Sequence, residues 1–307
     1  MFQSGGITIK ASEKLPDAFI IGVPKAGTTW LSDNLSKHPG ISMSHPKEPD
    51  IVATHKGTFG RDFSEPNWKL YQSCFSKEGI RIDSSVHTFA CPVAPKRVAE
   101  KIPQAKLILC LREPVERSVS HWRMIVDLEA DKRNGTDWKE FNLAWKDERL
   151  HQESLYGQSI KNWLEYFPID QFHIIDCEEM KNNPESVIYD IEKFLGVEHQ
   201  TSILLDSKNA NRASDRRIKS NFGSRIEKFA EKVPFFLKAP ISFPLQRLNI
   251  NIYKTRLLTV PNQSYSMQEE YYSICSEVVS KDLRLFQKIT DFNTEHWINT
   301  ISDNLKS

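Results

Sequence analysis

Two short runs of the chain carry residue types suited to holding oxyanions. In the first, Pro24-Lys25-Ala26-Gly27-Thr28-Thr29 follows the apolar residues 18–23 and precedes residues 30–35, whose apolar positions fall at helical spacing. A buried strand that passes into a helix through such a turn brings backbone N–H groups and the positive end of the helix together. Gly27 lets the backbone approach an anion, Lys25 adds a full charge, and Thr28 and Thr29 add hydroxyls. In the second run, Arg112 and Ser120 follow the apolar residues 106–111. Loops at the carboxyl ends of neighbouring parallel strands open onto one crevice, so this turn is expected to face the Lys25 turn across a single ligand. A ligand with two separated phosphates would need both.

The elements that must position these residues are legible from periodicity. Residues 18–23 read as a buried strand and 30–35 as a helix ended by His38-Pro39-Gly40. Residues 106–111 form a near-continuous apolar run, as in strands covered on both faces by helices. Residues 112–117 are expected to make the turn, and 118–126 a helix with Val119, Trp122 and Val126 inward. Strands are expected at 79–83 and 172–176, and helices at 156–166, at 187–195 with Gly196 as C-cap, and at 268–289. Strands alternating with helices predict an α/β fold, with a mostly parallel central sheet and helices on both faces. Residues 1–16 read as a loose polar arm and 17–307 as one domain. Within it, 234–262 reads as an irregular insertion carrying three prolines in its first eleven residues, either a lid or a packed surface loop.

Composition narrows the chemistry further. Lys plus Arg total 41 against 40 for Asp plus Glu, so the net charge of +1 supplies no global field towards nucleic acid or an anionic membrane. Neither is expected as a partner. The five cysteines, Cys74, Cys91, Cys110, Cys177 and Cys275, show no CxxC spacing and cannot all pair. No HExxH or other ligand cluster stands out, so no metal is expected. The first twenty residues lack a charged-then-apolar leader, and no apolar run approaches the ~18 residues a membrane span needs, so a cytoplasmic protein is expected.

The first turn departs from the nucleotide-triphosphate pattern GxxxxGK[ST], because no Lys precedes Thr28, which disfavours magnesium-nucleotide hydrolysis. It is instead similar to the 5′-phosphosulfate loop of the sulfotransferases that use 3′-phosphoadenosine-5′-phosphosulfate (PAPS), through Pro24-Lys25-Ala26-Gly27-Thr28-Thr29-Trp30-Leu31. The run from Leu111 to Trp122 resembles that family's 3′-phosphate segment, with Arg112 and Ser120 eight apart. Weaker likeness continues through residues 156–163 and 194–197 to His296-Trp297. The resemblance implies a P-loop-like fold, transfer of a sulfuryl group from PAPS to a small-molecule or carbohydrate acceptor, and release of adenosine 3′,5′-bisphosphate (PAP).

On this resemblance Lys25, Ala26, Gly27, Thr28 and Thr29 hold the 5′ side and Arg112 with Ser120 the 3′-phosphate. Trp30 has two readings, stacking on adenine or packing in the core. Lys208, Asn211 and Arg212 resemble a later loop over the nucleotide, or form a solvated polar run. Lys25 would also neutralise charge on the leaving oxygen. Glu48, in His45-Pro46-Lys47-Glu48-Pro49, resembles the Lys-Glu element that supplies the base in carbohydrate-type members, although Asp50-Ile51-Val52 replaces the paired aromatics that usually follow. His87 is the reserve base, with His45 and His55 near the same loop. Two rivals are a P-loop kinase or NTPase and a nucleotide-binding protein without catalysis.

Overall fold

The computed structural model describes residues 14–200, 217–219, 259–261 and 267–306. The chain divides into two units, Met1–Lys208 with Gln268–Ser307, and Asn209–Met267. The described part of the second unit is an antiparallel pair, Arg217–Lys219 with Thr259–Pro261, in which Ile218 lies opposite Val260. The rest of the expected 234–262 insertion, residues 1–13 of the arm, and Lys208, Asn211 and Arg212 lie outside the described residues.

The first unit is built on five parallel strands, β1 (Ala18–Gly22), β2 (Ile41–Met43), β3 (Ile80–Asp83), β4 (Lys106–Leu111) and β5 (Phe172–Asp176). Their order is β2-β3-β1-β4-β5. All of β1 and all but the first residue of β4 are buried, which is why their sequences run apolar without alternation. Strand β2 was not among the expected strands. Its three residues are too short to show a period, and pairing with β3 makes it a strand, with Ile41 opposite Ile80 and Met43 opposite Ile82.

The helices around the sheet are α1 (Thr28–Leu35), α2 (Ala94–Lys101), α3 (Pro114–Asp127), α4 (Tyr156–Leu164), α5 (Pro184–Leu195), α6 (Glu269–Thr290) and α7 (Glu295–Asp303). The expected C-cap Gly196 takes φ 77°, a left-handed conformation that glycine adopts at little cost. Helix α3 corrects the expected 112–117 turn, because it starts at Pro114. Proline fits the first helical position, and the Glu113 carboxylate accepts from Val115 N (3.0 Å) and Glu116 N (2.7 Å). The turn is therefore only Arg112 and Glu113. The inward face of α3 is completed by Ile125, at 5% exposure, where Val126 was expected.

The strand order reverses beside β1, since the chain builds β2 and β3 on one side of it and β4 and β5 on the other. In open α/β sheets, ligands bind at such a switch point, outside the carboxyl ends of the strands. Ile20 lies opposite Ile108, the register then shifts so that Gly22 faces Leu109, and Val23 N donates to the Cys110 carbonyl at 2.7 Å. The turns after β1 and β4 consequently emerge side by side. Among the described residues, no helix is long and apolar enough to cross a membrane.

Candidate active site

Helix α1 has Gly27 as its N-cap residue, whose φ of 81° is left-handed, and no side chain caps it. Its first-turn N–H groups thus have no side-chain cap, and such an end is suited to meeting an anion. Leu31 N closes the first turn on Gly27 O at 3.1 Å. A Cβ on Gly27 would come within 3.1 Å of Met180 Cε, so a side chain there would crowd the cradle as well as strain the backbone. Lys25 itself takes a positive φ of 76°, and its Nζ lies 3.5 Å from Met124 Sδ on α3. A non-glycine residue in that region costs about 1–2 kcal/mol, a strain found where a side chain must be aimed. Thr28 is buried, Thr29 exposed and Trp30 half-buried.

Across the switch point, Arg112 is half-buried and paired with Glu116, whose Oε2 accepts from Nη2 (2.7 Å) and Nε (3.2 Å). Ser120 stands half-buried two turns along α3. The structure therefore brings Lys25, Arg112 and Ser120 to one edge of the sheet. A crevice of about 200 Å³ lined by Asp17, Ile80, Ile102, Gln104, Lys106 and Leu195 lies at the other edge, at the amino ends of β3 and β4.

The two turns are braced by a residue that the sequence reading did not assign. Arg117 is fully buried on α3, and its five N–H groups meet Ser154 Oγ (2.6 Å), Leu150 O (3.0 Å), His121 Nδ1 (3.1 Å), Ser118 Oγ (3.2 Å) and Pro24 O (3.5 Å). Because guanidinium only donates, His121 must accept at Nδ1 and donate from Nε2 to Thr58 Oγ1, at 2.8 Å. Burial, Arg117, His87 and Lys25 all push the His121 pKa well down, so it stays neutral. The signal for Arg117 was its place inside the second motif; its burial was not visible there.

On the acceptor side, Glu48 is about one-third exposed, and its Oε1 accepts from Lys47 Nζ at 2.9 Å. Asp50, two residues on, has φ 50°. Its backbone N–H donates to Ser85 Oγ at 3.0 Å, and its carbonyl accepts from Lys56 Nζ. Its Oδ1 is buried with no hydrogen-bond partner among the described residues. Burial raises the Asp50 pKa to about 6, with the charge of His87 opposing. His87 is buried, with Nδ1 2.8 Å from Glu153 Oε1. His55, also buried, is held down to about 4 by burial and Arg61, while His45 is exposed. Sequence reading named Glu48 and His87 as candidate bases but not Asp50 or Glu153, the latter because its partner lies 66 positions away.

A parallel α/β sheet with an uncapped helix end, a lysine and an arginine gathered at its switch point defines an α/β protein of the P-loop-like kind. The sulfotransferase domain family model matches residues 15–238, and the chain belongs to that family. It is 28% identical over 197 residues to human heparan sulfate glucosamine 3-O-sulfotransferase 5, covering 60% of this chain and 54% of that one. It is likewise 28% identical over 191 residues to the bifunctional heparan sulfate N-deacetylase/N-sulfotransferase 1 of Caenorhabditis elegans, covering 60% of this chain and 22% of that one. The chain thus spans about half the length of the first of these relatives, and less of the second. Its fold is similar to that of a sulfotransferase from Alicyclobacillus acidocaldarius, with TM-score 0.60 at 20% identity over 92% of this chain and 98% of the other.

Proposed function

We propose that this chain is an enzyme that moves the sulfuryl group of PAPS to a hydroxyl or amine of a carbohydrate or small-molecule acceptor, releasing PAP. The observation that carries the reading is the parallel register of β1 and β4, which sets the Lys25 turn and the Arg112 turn on one edge of the sheet. The donor's 5′ side would lie on the first-turn N–H groups of α1, and its 3′-phosphate on Arg112 and Ser120. Arg112 offers a permanently charged fork there, shared with Glu116.

In the transfer, the acceptor oxygen or nitrogen gives its proton to the Glu48 carboxylate and forms a bond to sulfur. The bond from sulfur to the bridging oxygen of the 5′-phosphate breaks, and Lys25 Nζ neutralises the charge left on that oxygen. The related enzymes named for heparan sulfate include O- and N-sulfotransferases, which supports a sugar hydroxyl or amine as acceptor. The test is mass spectrometry after incubation with PAPS and a panel of unsulfated heparan-type oligosaccharides, simple alcohols and amines. A gain of one sulfuryl group on an acceptor is expected. Preference for ATP with magnesium over PAP in a binding assay would overturn the reading.

A further inference from the structure

His87 and Glu153 approach from different parts of the fold. His87 follows β3, in a loop anchored by Phe89 N donating to Ile21 O (2.7 Å) and by Trp163 Nε1 donating to Phe89 O (3.0 Å). Glu153 precedes α4, next to Ser154, whose Oγ is held by Arg117 (2.6 Å) and Ser118 (2.7 Å). Both backbones are therefore fixed before the side chains meet at 2.8 Å, in a space where each is less than a tenth exposed. The second carboxylate oxygen of Glu153 is buried without a partner among the described residues, so the charge of Glu153 is directed at His87.

We propose that Glu153 is a positioning residue that holds His87 as an imidazolium, in the loop whose Ser85 Oγ accepts from the Asp50 N–H, and so keeps the Asp50 carboxylate charged two residues from the base Glu48. This rests on the sulfotransferase reading above. Asp50 Oδ1 makes no hydrogen bond among the described residues, so the charge that steadies it there acts through space. The groups around His87 agree on the sign. Burial disfavours its charged form, but Glu153, by charge and hydrogen bond, and then Glu48 and Asp50 override it and hold the pKa above the usual value. Glu153 is correspondingly held below the ordinary range, with His87 and then Arg117 pulling against burial. His121, with its ring centroid 6.0 Å away, and His55, which donates to the His87 carbonyl, are both kept neutral and add no competing cation. Asp83 raises Asp50 while Lys56 lowers it. An imidazolium has no free lone pair for a proton, so in this arrangement Glu48 takes the acceptor's proton and His87 supports it.

The test is Glu153→Gln, which keeps the shape and removes the charge. We expect kcat to fall about 10–100-fold, as for lost partners of a reacting group, with KM for PAPS nearly constant. The acidic limb of the kcat/KM profile should move to higher pH by about one unit, because a neutral His87 no longer steadies the Asp50 carboxylate. Nitrogen-15 histidine NMR on the wild-type chain reads the charge without any turnover. His87 should be an imidazolium at pH 6.5 and neutral in Glu153→Gln. A neutral wild-type His87, or a folded Glu153→Gln with an unmoved pH profile, overturns the proposal. Failure of every acceptor to gain a sulfuryl group would instead overturn the proposed function, and the NMR experiment would still decide the charge of His87.

Discussion

Arg117 Nη1 lies 3.5 Å from the carbonyl oxygen of Pro24, joining the helix after the Arg112 turn to the Lys25 turn across 93 positions. The contact is long, but the same guanidinium is fixed by four shorter ones, so it props the Lys25 turn from behind. Lysine in its place keeps the charge and has only three donors. Arg117→Lys should lose about 2 kcal/mol, roughly 1 kcal/mol for each of two forfeited bonds, read as a lower urea midpoint at unchanged slope. It should also raise KM for PAPS, since the turn loses its prop. Stability and KM both matching the wild type would show that the brace is idle.

Lys25 separates backbone from side chain. Its φ of 76° strains any residue other than glycine, so Lys25→Ala keeps the strain while Lys25→Gly relieves it. Both should lose at least about 100-fold in turnover, because the charge on the leaving oxygen is no longer met. The glycine variant should nevertheless be the more stable of the two by about 1 kcal/mol. Denaturant melts of the pair decide the point: equal midpoints would mean that the turn relaxes once the lysine is gone.

The strand-turn-helix units were legible in the sequence because their signals are local. The apolar run Lys106–Leu111, the turn residues from Pro24 to Thr29 and the glycine after Leu195 each act within a few positions. The same locality let Glu48 and His87 be named as candidate bases one by one. It could not show that Glu153 meets His87 or that Arg117 is buried with no exposed surface, because those facts depend on which segments the sheet order brings together. Pro114 misled for a related reason. A proline reads as turn or as first helical residue depending on whether the preceding side chain caps, and the Glu113 carboxylate does.

Asp50 predicts a pH-dependent stability. Its pKa in the folded chain is raised to about 6, chiefly by burial, above its ordinary value of 3.8. The folded state thus holds that proton more tightly than the unfolded state. The contribution to stability is fully present below pH 3.8 and is lost as pH rises through about 6. Asp50→Asn removes the dependence and suits the left-handed φ of 50° at least as well. It should be more stable than the wild type at pH 7, with the gap closing as the pH falls to 4. Urea melts across that range should show the convergence. A constant difference would mean that Asp50 titrates alike in both states.

Gly157 fixes how α4 meets α6. Its N–H and that of Gln158 donate to the two oxygens of Asp282, at 2.7 and 3.0 Å, so a carboxylate from α6 caps the start of α4. The approach is close enough that a Cβ on Gly157 would stand 2.5 Å from the Asp282 carbonyl oxygen and 3.0 Å from Phe286 N. Both are backbone atoms of a helix that cannot yield locally, so the helices must separate. Gly157→Ala should cost about 1–3 kcal/mol, the usual penalty for overpacking, despite alanine's better helix propensity. Tyr156, the neighbouring residue, donates from its hydroxyl to the Arg112 carbonyl at 2.7 Å, so a displaced α4 would also disturb the Arg112 turn. Binding of PAP should therefore weaken in Gly157→Ala even at temperatures where the chain remains folded. Calorimetric titration below the melting transition tests this directly, and an unchanged Kd would confine the damage to the helix pair.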